Sequence, residues 1–469
     1  MVILKIINCI FSYLVKLVDF IFAFAMISLI LILFFLKMLT GPKRKDAHPG
    51  LKNLLVIDTA YTLNMMRKMN LFHPVLCRDL DGFFDHVWTV NSCVGAAQEV
   101  FPEPSIGRVS LTTLNSKHTI VEGKIGLFQC LTWLPALNFV FAQLRTLFFL
   151  DDLIKTENIS VIRTGDPYYM GIVAFILACW NRIPFLIRVC GNYDECYKST
   201  GKPNNPRLFR YRFVEKIIER FILQKADMVA GVNQDNLNFA LANGAKQERT
   251  TLFRYGNLIN PIHFLEPDQR ITNQVPFDFK DNNKPFLIYI GRLEKVKRPD
   301  DVLKILSEVK KHKFDIDAVL VGDGTMKSEL KQLAKDLEIE KNVWFVGNKD
   351  QTWIGQILPQ ACIVISPHTG RALVEAALSG TPVVAYDIDW QAELIRTGKT
   401  GILVKYGDWK SMALEVIKLL EYPVEAEKIG TLGRAEALAM MNPHKLSRHE
   451  QAVYAKLLRM PNCEDHTRS

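Results

Sequence analysis

Phe286-Leu287-Ile288-Tyr289-Ile290, followed at once by Gly291-Arg292-Leu293-Glu294-Lys295-Val296-Lys297-Arg298, is the stretch that decides how this chain folds. Five apolar residues closed by a glycine have the length and composition of a buried strand, and the charged run beyond them opens a helix. A glycine at the C-terminal end of a strand lets backbone come close to a ligand. Arg292 and Lys297 project from such a turn as a cationic pair suited to a diphosphate. Taken alone, the turn is also what an ordinary solvated helix start looks like. Its weight comes from its neighbours.

Downstream follow Val319-Leu320-Val321-Gly322-Asp323-Gly324, Val343-Trp344-Phe345-Val346-Gly347, Ser366-Pro367-His368-Thr369-Gly370-Arg371-Ala372-Leu373-Val374-Glu375-Ala376 and Gly380-Thr381-Pro382-Val383-Val384-Ala385. Then come Glu393, Gly398-Lys399-Thr400-Gly401-Ile402-Leu403-Val404 and Gly407-Asp408. Short apolar runs alternating with amphipathic ones predict parallel sheets with helical crossovers. The second half has expected strands at 286–290, 317–321, 343–346, 363–366, 382–385 and 402–404, and the first half at 54–57, 86–90, 159–163, 184–189, 228–232 and 251–254. The stretch 260–285 is strand-poor and rich in Asn, Pro and Asp, as a linker is. The expected architecture is α/β, with two doubly wound Rossmann-like lobes: residues 47–270 on the acceptor side and 271–440 on the nucleotide-sugar side. Residues 441–469 form a returning helix and tail, and residues 1–46 an anchor with a basic linker.

With 469 residues, 49% of them hydrophobic, the chain has ample apolar surface to fold, which excludes disorder as its main description. Nine cysteines without a Cys-x-x-Cys pair suit a reduced compartment. The net charge of +9 is local: residues 1–52 carry +5, residues 198–225 carry +6, and the remainder sums to −2. That pattern favours a membrane surface over nucleic acid. From Phe20 to Leu36 run 17 uncharged residues, about 26 Å of helix, ahead of Lys37 and the Lys43-Arg44-Lys45 cluster. The expectation is a single transmembrane helix with an amphipathic start and, by the positive-inside rule, both lobes on the cytoplasmic side. A cleaved signal peptide would need a small-residue cleavage site, and a buried core helix would leave the basic cluster unexplained. Leu127 to Leu150 reads as a core helix or a shallow membrane-dipping helix more readily than a second span, because Pro135 and Arg145 interrupt it.

The ordered motif series over 286–420 resembles the donor-binding domain of family-4 retaining glycosyltransferases, group 1, with the two-lobed B-type fold. The first lobe matches more loosely, through Ala226-Asp227 and Tyr255-Gly256-Asn257. The resemblance implies a membrane-anchored, retaining transfer of a sugar from a nucleotide-diphosphate donor to a glycan or lipid-linked acceptor, in cell-surface polysaccharide or glycolipid synthesis. It implies a catalytic set of Arg292, Lys297 and Glu375, with the two cations neutralising the diphosphate and Glu375 accepting ribose hydroxyls. Donor contacts would come from Gly291, from Val346, Gly347 and Asn348 at the base, and from His368, Thr369, Gly370, Arg371 and Ala372 at a helix N-terminus. No cofactor, metal or nucleic acid is expected; the partners are the nucleotide sugar, the acceptor and membrane lipids.

Two positions depart from the family pattern. Pro367 stands where the family usually carries a Glu that contacts donor-sugar hydroxyls, so His368, Thr369 or Arg371 would handle the sugar. Asp389-Trp390 replaces the usual Gly-Gly after the Pro-Val-Val-Ala strand. The lost Glu leaves two alternatives open: a catalytically degenerate scaffold with the same fold, or a nucleotide-sugar epimerase. In the first lobe, strand ends bring Asp166, Asn192, Asp194 and Glu195 forward as acceptor-side candidates, although Gly-Asp-Pro is also an ordinary turn and Asp166 an ordinary helix cap. The stretch Arg207 to Arg220 interleaves basic and aromatic residues, which suits lipid headgroups or pyrophosphate.

Overall fold

Strands such as Leu54–Ile57 and Phe286–Ile290 are apolar at every position because helices cover both faces of the sheets they join. The computed structural model describes residues 14–22, 25–26, 52–96, 103–205, 208–270, 284–368 and 370–459. The first lobe holds β1 (Asn53–Ile57), β2 (His86–Val94), β3 (Ser110–Asn115), β4 (His118–Lys124), β5 (Ile159–Thr164), β6 (Phe185–Val189), β7 (Met228–Gly231) and β8 (Thr250–Leu252). Their order in the sheet is β3-β4-β2-β1-β5-β6-β7-β8, parallel except for the β3–β4 hairpin. The second lobe holds β9 (Phe286–Ile290), β10 (Asp317–Val321), β11 (Val343–Gly347), β12 (Ile363–Ser366), β13 (Val383–Asp387) and β14 (Ile402–Lys405). Its order, β11-β10-β9-β12-β13-β14, is parallel throughout. In each sheet the strand order reverses beside the first strand, at β1/β5 and at β9/β12, and each reversal opens a crevice.

The helices used below are α1 (Pro135–Thr156), α2 (Tyr169–Asn181), α3 (Tyr193–Thr200), α4 (Arg212–Lys225), α5 (Gln234–Ala242), α6 (Pro299–Lys311), α7 (Arg371–Leu378), α8 (Pro423–Met440) and α9 (Pro443–Arg459). Helices α1, α2 and α4 cover one face of the first sheet through Leu147, Leu150, Val173, Leu177, Ile222 and Leu223. Residues 127–150 therefore contribute a core helix, as expected, with Pro135 in its first turn, where a missing N–H costs nothing. Helix α9 crosses back from the second lobe and buries Tyr454 and Leu457 against Leu54, Val56 and Val161 on the other face. Gly256 lies where α9 begins: a Cβ there would meet the Met441 carbonyl oxygen at 2.2 Å.

All twelve expected strands are present, three with the expected bounds and the others with ends shifted by at most four residues. The β3–β4 hairpin was not anticipated: β3 is mostly exposed and Thr-rich, so it lacks the apolar run that marks the other strands. The expected transmembrane helix over 20–36 falls mainly outside the described residues. Among the described residues, no helix is long and apolar enough to cross a membrane. Residues 14–22 are helical, and Asp19 accepts hydrogen bonds from the Ala136 and Leu137 N–H groups, both at 2.9 Å. That carboxylate caps the free donors at the start of α1.

Because α9 completes the first lobe's core from the far end of the chain, Tyr454→Ala is expected to cost about 3–5 kcal/mol. Urea unfolding followed by circular dichroism measures it; a loss below about 1 kcal/mol would mean that α9 docks without holding the lobe.

Candidate functional site

A cavity of about 380 Å³ opens at the β9/β12 crevice. It is lined by Gly291, Arg292 and Lys297 after β9, Gly322 after β10, Asn348 and Lys349 after β11, and residues 366–368, 370–372 and 375 after β12. Met69 and Leu71 of the first lobe close its other side. Every strand end of the inner half of the sheet thus contributes to one cavity, as the crevice geometry requires.

The β9 turn is rigid. Gly291 N–H donates to Val321 O at 3.0 Å, Leu293 N–H to Asp323 O at 3.0 Å, and the Tyr289 hydroxyl to Arg292 O at 2.9 Å. The Glu294 carboxylate accepts from Thr325 N–H at 3.1 Å and from its hydroxyl at 2.8 Å. Arg298 adopts left-handed backbone (φ 50°) and is fixed by Asp301 at 2.6 Å and by the rings of Tyr386 and Tyr406. Arg298 is therefore a clamp under the turn, while Arg292 and Lys297 face the cavity. Burial and then the Arg292 charge push the Lys297 ammonium down to about 8, with Asp389 and Cys196 opposing. Lys297 Nζ lies 3.0 Å from His368 Nδ1.

Helix α7 begins at Gly370, whose backbone (φ 152°) suits glycine, and its first turn points free N–H groups toward the same cavity. Arg371 bridges the lobes. Burial lowers its pKa, but Tyr61 of the first lobe, Glu375 and Tyr255 outweigh that and keep it charged. Glu375 is buried on the inner face of α7 and lines the cavity. Thr369 lies outside the described residues. At the base end, Asn348 lines the cavity; Val346 packs into the core behind it, and Gly347 accepts at 2.9 Å from Gly322 N–H. Lys349, Met69 and Leu71 were not anticipated, since no local pattern links them to the β9 turn.

The acceptor-side candidates divide. Asp166 sits at the end of β5 in the β1/β5 crevice, with Asp58 at the end of β1. Burial raises its carboxyl to about 7, Asp58 adds to the shift, and Tyr168, Met170 and Gly171 N–H groups oppose it. Asp58 itself pairs with buried Arg78 at 2.5 Å. Asn192 caps α3, accepting from Glu195 N–H at 3.3 Å and donating to Asp235. Asp194 is engaged by Arg212 and Lys216, each at 2.8 Å, and by Asn243 at 3.1 Å. Burial alone would raise its pKa, yet those hydrogen bonds bring it to about 2. It holds α3 to α4. Glu195 is exposed and pairs with Lys198 at 2.6 Å. Among the described residues no cluster of three or more His, Cys, Asp or Glu could hold a metal.

Across the cleft, Glu393 accepts from Arg254 at 2.7 Å and from Gln234 N–H at 2.6 Å, tying the second lobe to the start of α5. Tyr255 and Trp390 pack with ring centroids 5.9 Å apart. Trp390, one of the two residues replacing the family's glycines, is thus an inter-lobe contact.

Residues 271–436 match the family described as glycosyl transferases group 1, so the second lobe is related to that family, as its motifs indicated. Over 250 residues the chain is 26% identical to the N-acetyl-alpha-D-glucosaminyl L-malate synthase of Bacillus anthracis, covering 51% of this chain and 62% of that protein. Over 226 residues it is 23% identical to the poly(ribitol-phosphate) alpha-N-acetylglucosaminyltransferase of Staphylococcus aureus, covering 46% of this chain and 42% of that one. The chain thus spans less than two thirds of either relative. Among solved structures, Anabaena HepE in complex with UDP and glucose superposes with a TM-score of 0.61 at 17% identity, covering 86% of this chain and all of that one. The sucrose-phosphate synthase of Thermosynechococcus elongatus gives 0.65 at 16% identity, covering 87% and 99%. These structures share the two-lobed fold.

Folded Asp166 keeps its proton up to about pH 7, whereas an unfolded Asp loses it near about 4. The folded state binds more protons across that window, so stability falls as pH rises through it. Asp166→Asn, which retains a carbonyl for the Tyr168 N–H, is expected to flatten the fall in Tm between pH 5 and 8. An unchanged slope would assign the titration to another group.

Proposed function

We propose that this relative of the group 1 glycosyl transferases moves a sugar from a nucleotide-diphosphate donor to a glycan or lipid-linked acceptor. The observation that carries the reading is the convergence of Arg292, Lys297 and the N-terminus of α7 on one cavity at the β9/β12 crevice. Two cations and a set of free N–H groups form a diphosphate cradle, and Glu375 sits where ribose hydroxyls would reach it. As the sugar leaves, negative charge builds on the diphosphate, and the same groups stabilise it. The glucosaminyl synthase and transferase names of the two bacterial relatives and the UDP and glucose in the HepE complex support this substrate class.

The finer features belong to the same proposal. Retention at the anomeric carbon would follow a front-face route, in which the departing phosphate takes the acceptor proton from the same face. With Pro367 in place of the usual Glu, the Lys297–His368 pair and Arg371 would meet the donor sugar. The acceptor would enter by the first lobe's crevice, past Asp58, Arg78 and Asp166. The run from Phe20 to Leu36 and the basic cluster after it would hold the lobes at the cytoplasmic face of a membrane.

Arg292→Ala and Lys297→Ala are each expected to lower transfer at least a hundredfold, with unchanged circular dichroism and Tm. The assay is nucleoside-diphosphate release from a panel of nucleotide sugars in the presence of membrane extract. Normal turnover in both variants would sink the reading; epimerised donor without acceptor, or no turnover with any donor, would favour one of the alternatives. Because Lys297 titrates near about 8 when free, a diphosphate would restore its charge by drawing a proton from solvent. Binding of nucleoside diphosphate is therefore expected to weaken as pH rises from 7 to 9.5. Calorimetry in buffers of different ionisation enthalpy should register proton uptake, lost in Lys297→Met.

A further inference from the structure

Helix α4 buries Ile222 and Leu223 in the core, yet also carries apolar residues on its outer side. Its charged residues Glu215 and Glu219 are fully buried, paired with Arg212 at 3.0 and 2.9 Å, and Arg212 is itself buried against the Tyr168 hydroxyl. Its outward positions at steps of four are Phe213, Ile217 and Phe221, exposed to 64%, 66% and 44%. A helix on a water-facing surface has the opposite arrangement. The basic and aromatic stretch singled out in the sequence therefore divides: Arg212 and Lys216 are spent on internal ion pairs, and the aromatics face out.

The same reversal extends over the adjoining helices. Helix α2 has no charged residue in its 13 positions, and its outer row of Ile172, Phe175, Ile176 and Trp180 is half-buried. Phe221 of α4 meets Phe175 edge-on at 5.3 Å, and Phe148 of α1, half exposed, stacks on Trp180 at 6.0 Å. Three neighbouring helices thus present one continuous apolar surface, and water-soluble monomers rarely leave such a surface uncovered. The exposed charges within it are mostly cationic: Arg145 lies one turn before Phe148, Arg220 beside Phe221, and Arg210 over the Tyr211 ring that stacks on Phe213. The exposed acid on these three helices is Asp152.

Resting on the membrane attachment proposed above, we infer that the α1/α2/α4 face of the first lobe is a bilayer-docking surface for anionic lipid. Apolar rings would enter the acyl boundary while Arg145, Arg210 and Arg220 meet headgroup phosphates, the arrangement of an interfacial helix. Charge and continuity argue for this occupant. The segment leading into Phe20–Leu36 is already fixed on this side, because Asp19 caps α1, whose N-terminus lies about 20 Å along the helix from Phe148. An acceptor lobe pressed to the bilayer in this way would take a lipid-linked acceptor directly from the membrane.

The test uses the full chain reconstituted with vesicles of phosphatidylcholine containing 30% phosphatidylglycerol and a diazirine-bearing phosphatidylglycerol probe, with crosslinked peptides mapped by mass spectrometry. Crosslinks are expected in residues 169–181 and 212–225 as well as in 14–36. They should drop at least fivefold in the first two segments, and stay in 14–36, for Phe213→Glu/Ile217→Glu, a pair whose exposure predicts an unchanged Tm. A second variant, Arg145→Gln/Arg210→Gln/Arg220→Gln, should remove the excess over pure phosphatidylcholine. Crosslinks confined to 14–36 would overturn the docking face while leaving the anchor in place. Protein-to-protein crosslinks between copies of α4 would overturn it in favour of self-association, as would burial of the face under residues 23–40. Failure of the chain to float with any vesicle would reject the anchor itself and this inference with it.

Discussion

Gly322 has no room for a side chain: a Cβ there would lie 2.0 Å from the carbonyl oxygen of Gly291, and its φ of 137° is a conformation side chains rarely adopt. That contact brings the ends of β9 and β10 together at the mouth of the cavity, and the hydrogen bond from Gly291 N–H to Val321 O fixes the separation. The rest of the β9/β12 cavity hangs from it. With the β9 end fixed, the following turn has one path, stapled by Glu294 to Thr325 and clamped by Arg298 on Asp301, and Arg292 and Lys297 are aimed at the first turn of α7. Preorganisation of this kind matters because cations that must reorganise during the reaction stabilise developing charge poorly. Lys297 shows the cost of the arrangement: buried and close to Arg292, it surrenders part of its proton affinity until an anion arrives.

The second organising element is the handling of buried charge in the first lobe. Arg212, Glu215, Glu219, Asp194 and Lys216 form one network under α4, paired internally and with Tyr168, Asn243 and backbone N–H groups, although buried Arg212 Nε has no hydrogen-bond acceptor among the described residues. Burying that many charges is tolerable only with such pairing. With Arg212, Glu215 and Glu219 of α4 turned inward beside Ile222 and Leu223, Phe213, Ile217 and Phe221 are left on the outside. The apolar face and the ion network are therefore two views of one helix orientation, and both follow from the placement of Arg212.

Much of the donor lobe was legible because its signals are local. Each strand is a short apolar run, each crossover an amphipathic one, and Gly291, Gly322 and Gly370 mark strand ends within a few residues of the groups they position. The acceptor side was less legible. Asp166 and Asp194 look alike in sequence, both acids just beyond a strand, yet one is buried near neutrality at a crevice and the other is consumed by Arg212 and Lys216 from a helix 18 and 22 residues away. Asp19 capping a helix 117 residues later, and Met69 and Leu71 closing a cavity built by the opposite lobe, leave no trace in any sequence window.

By itself, the sequence determined two doubly wound lobes and a cationic turn after β9, because periodicity, glycine placement and turn chemistry act over about ten residues and need no partner. Only the tertiary structure decided which charges face the cleft, which disappear into ion pairs, and that a stretch read as basic presents its phenylalanines to the outside. Whether a charged side chain meets solvent or a buried partner depends on groups far away in sequence, and the desolvation of an unpaired charge is large enough to turn a whole helix over.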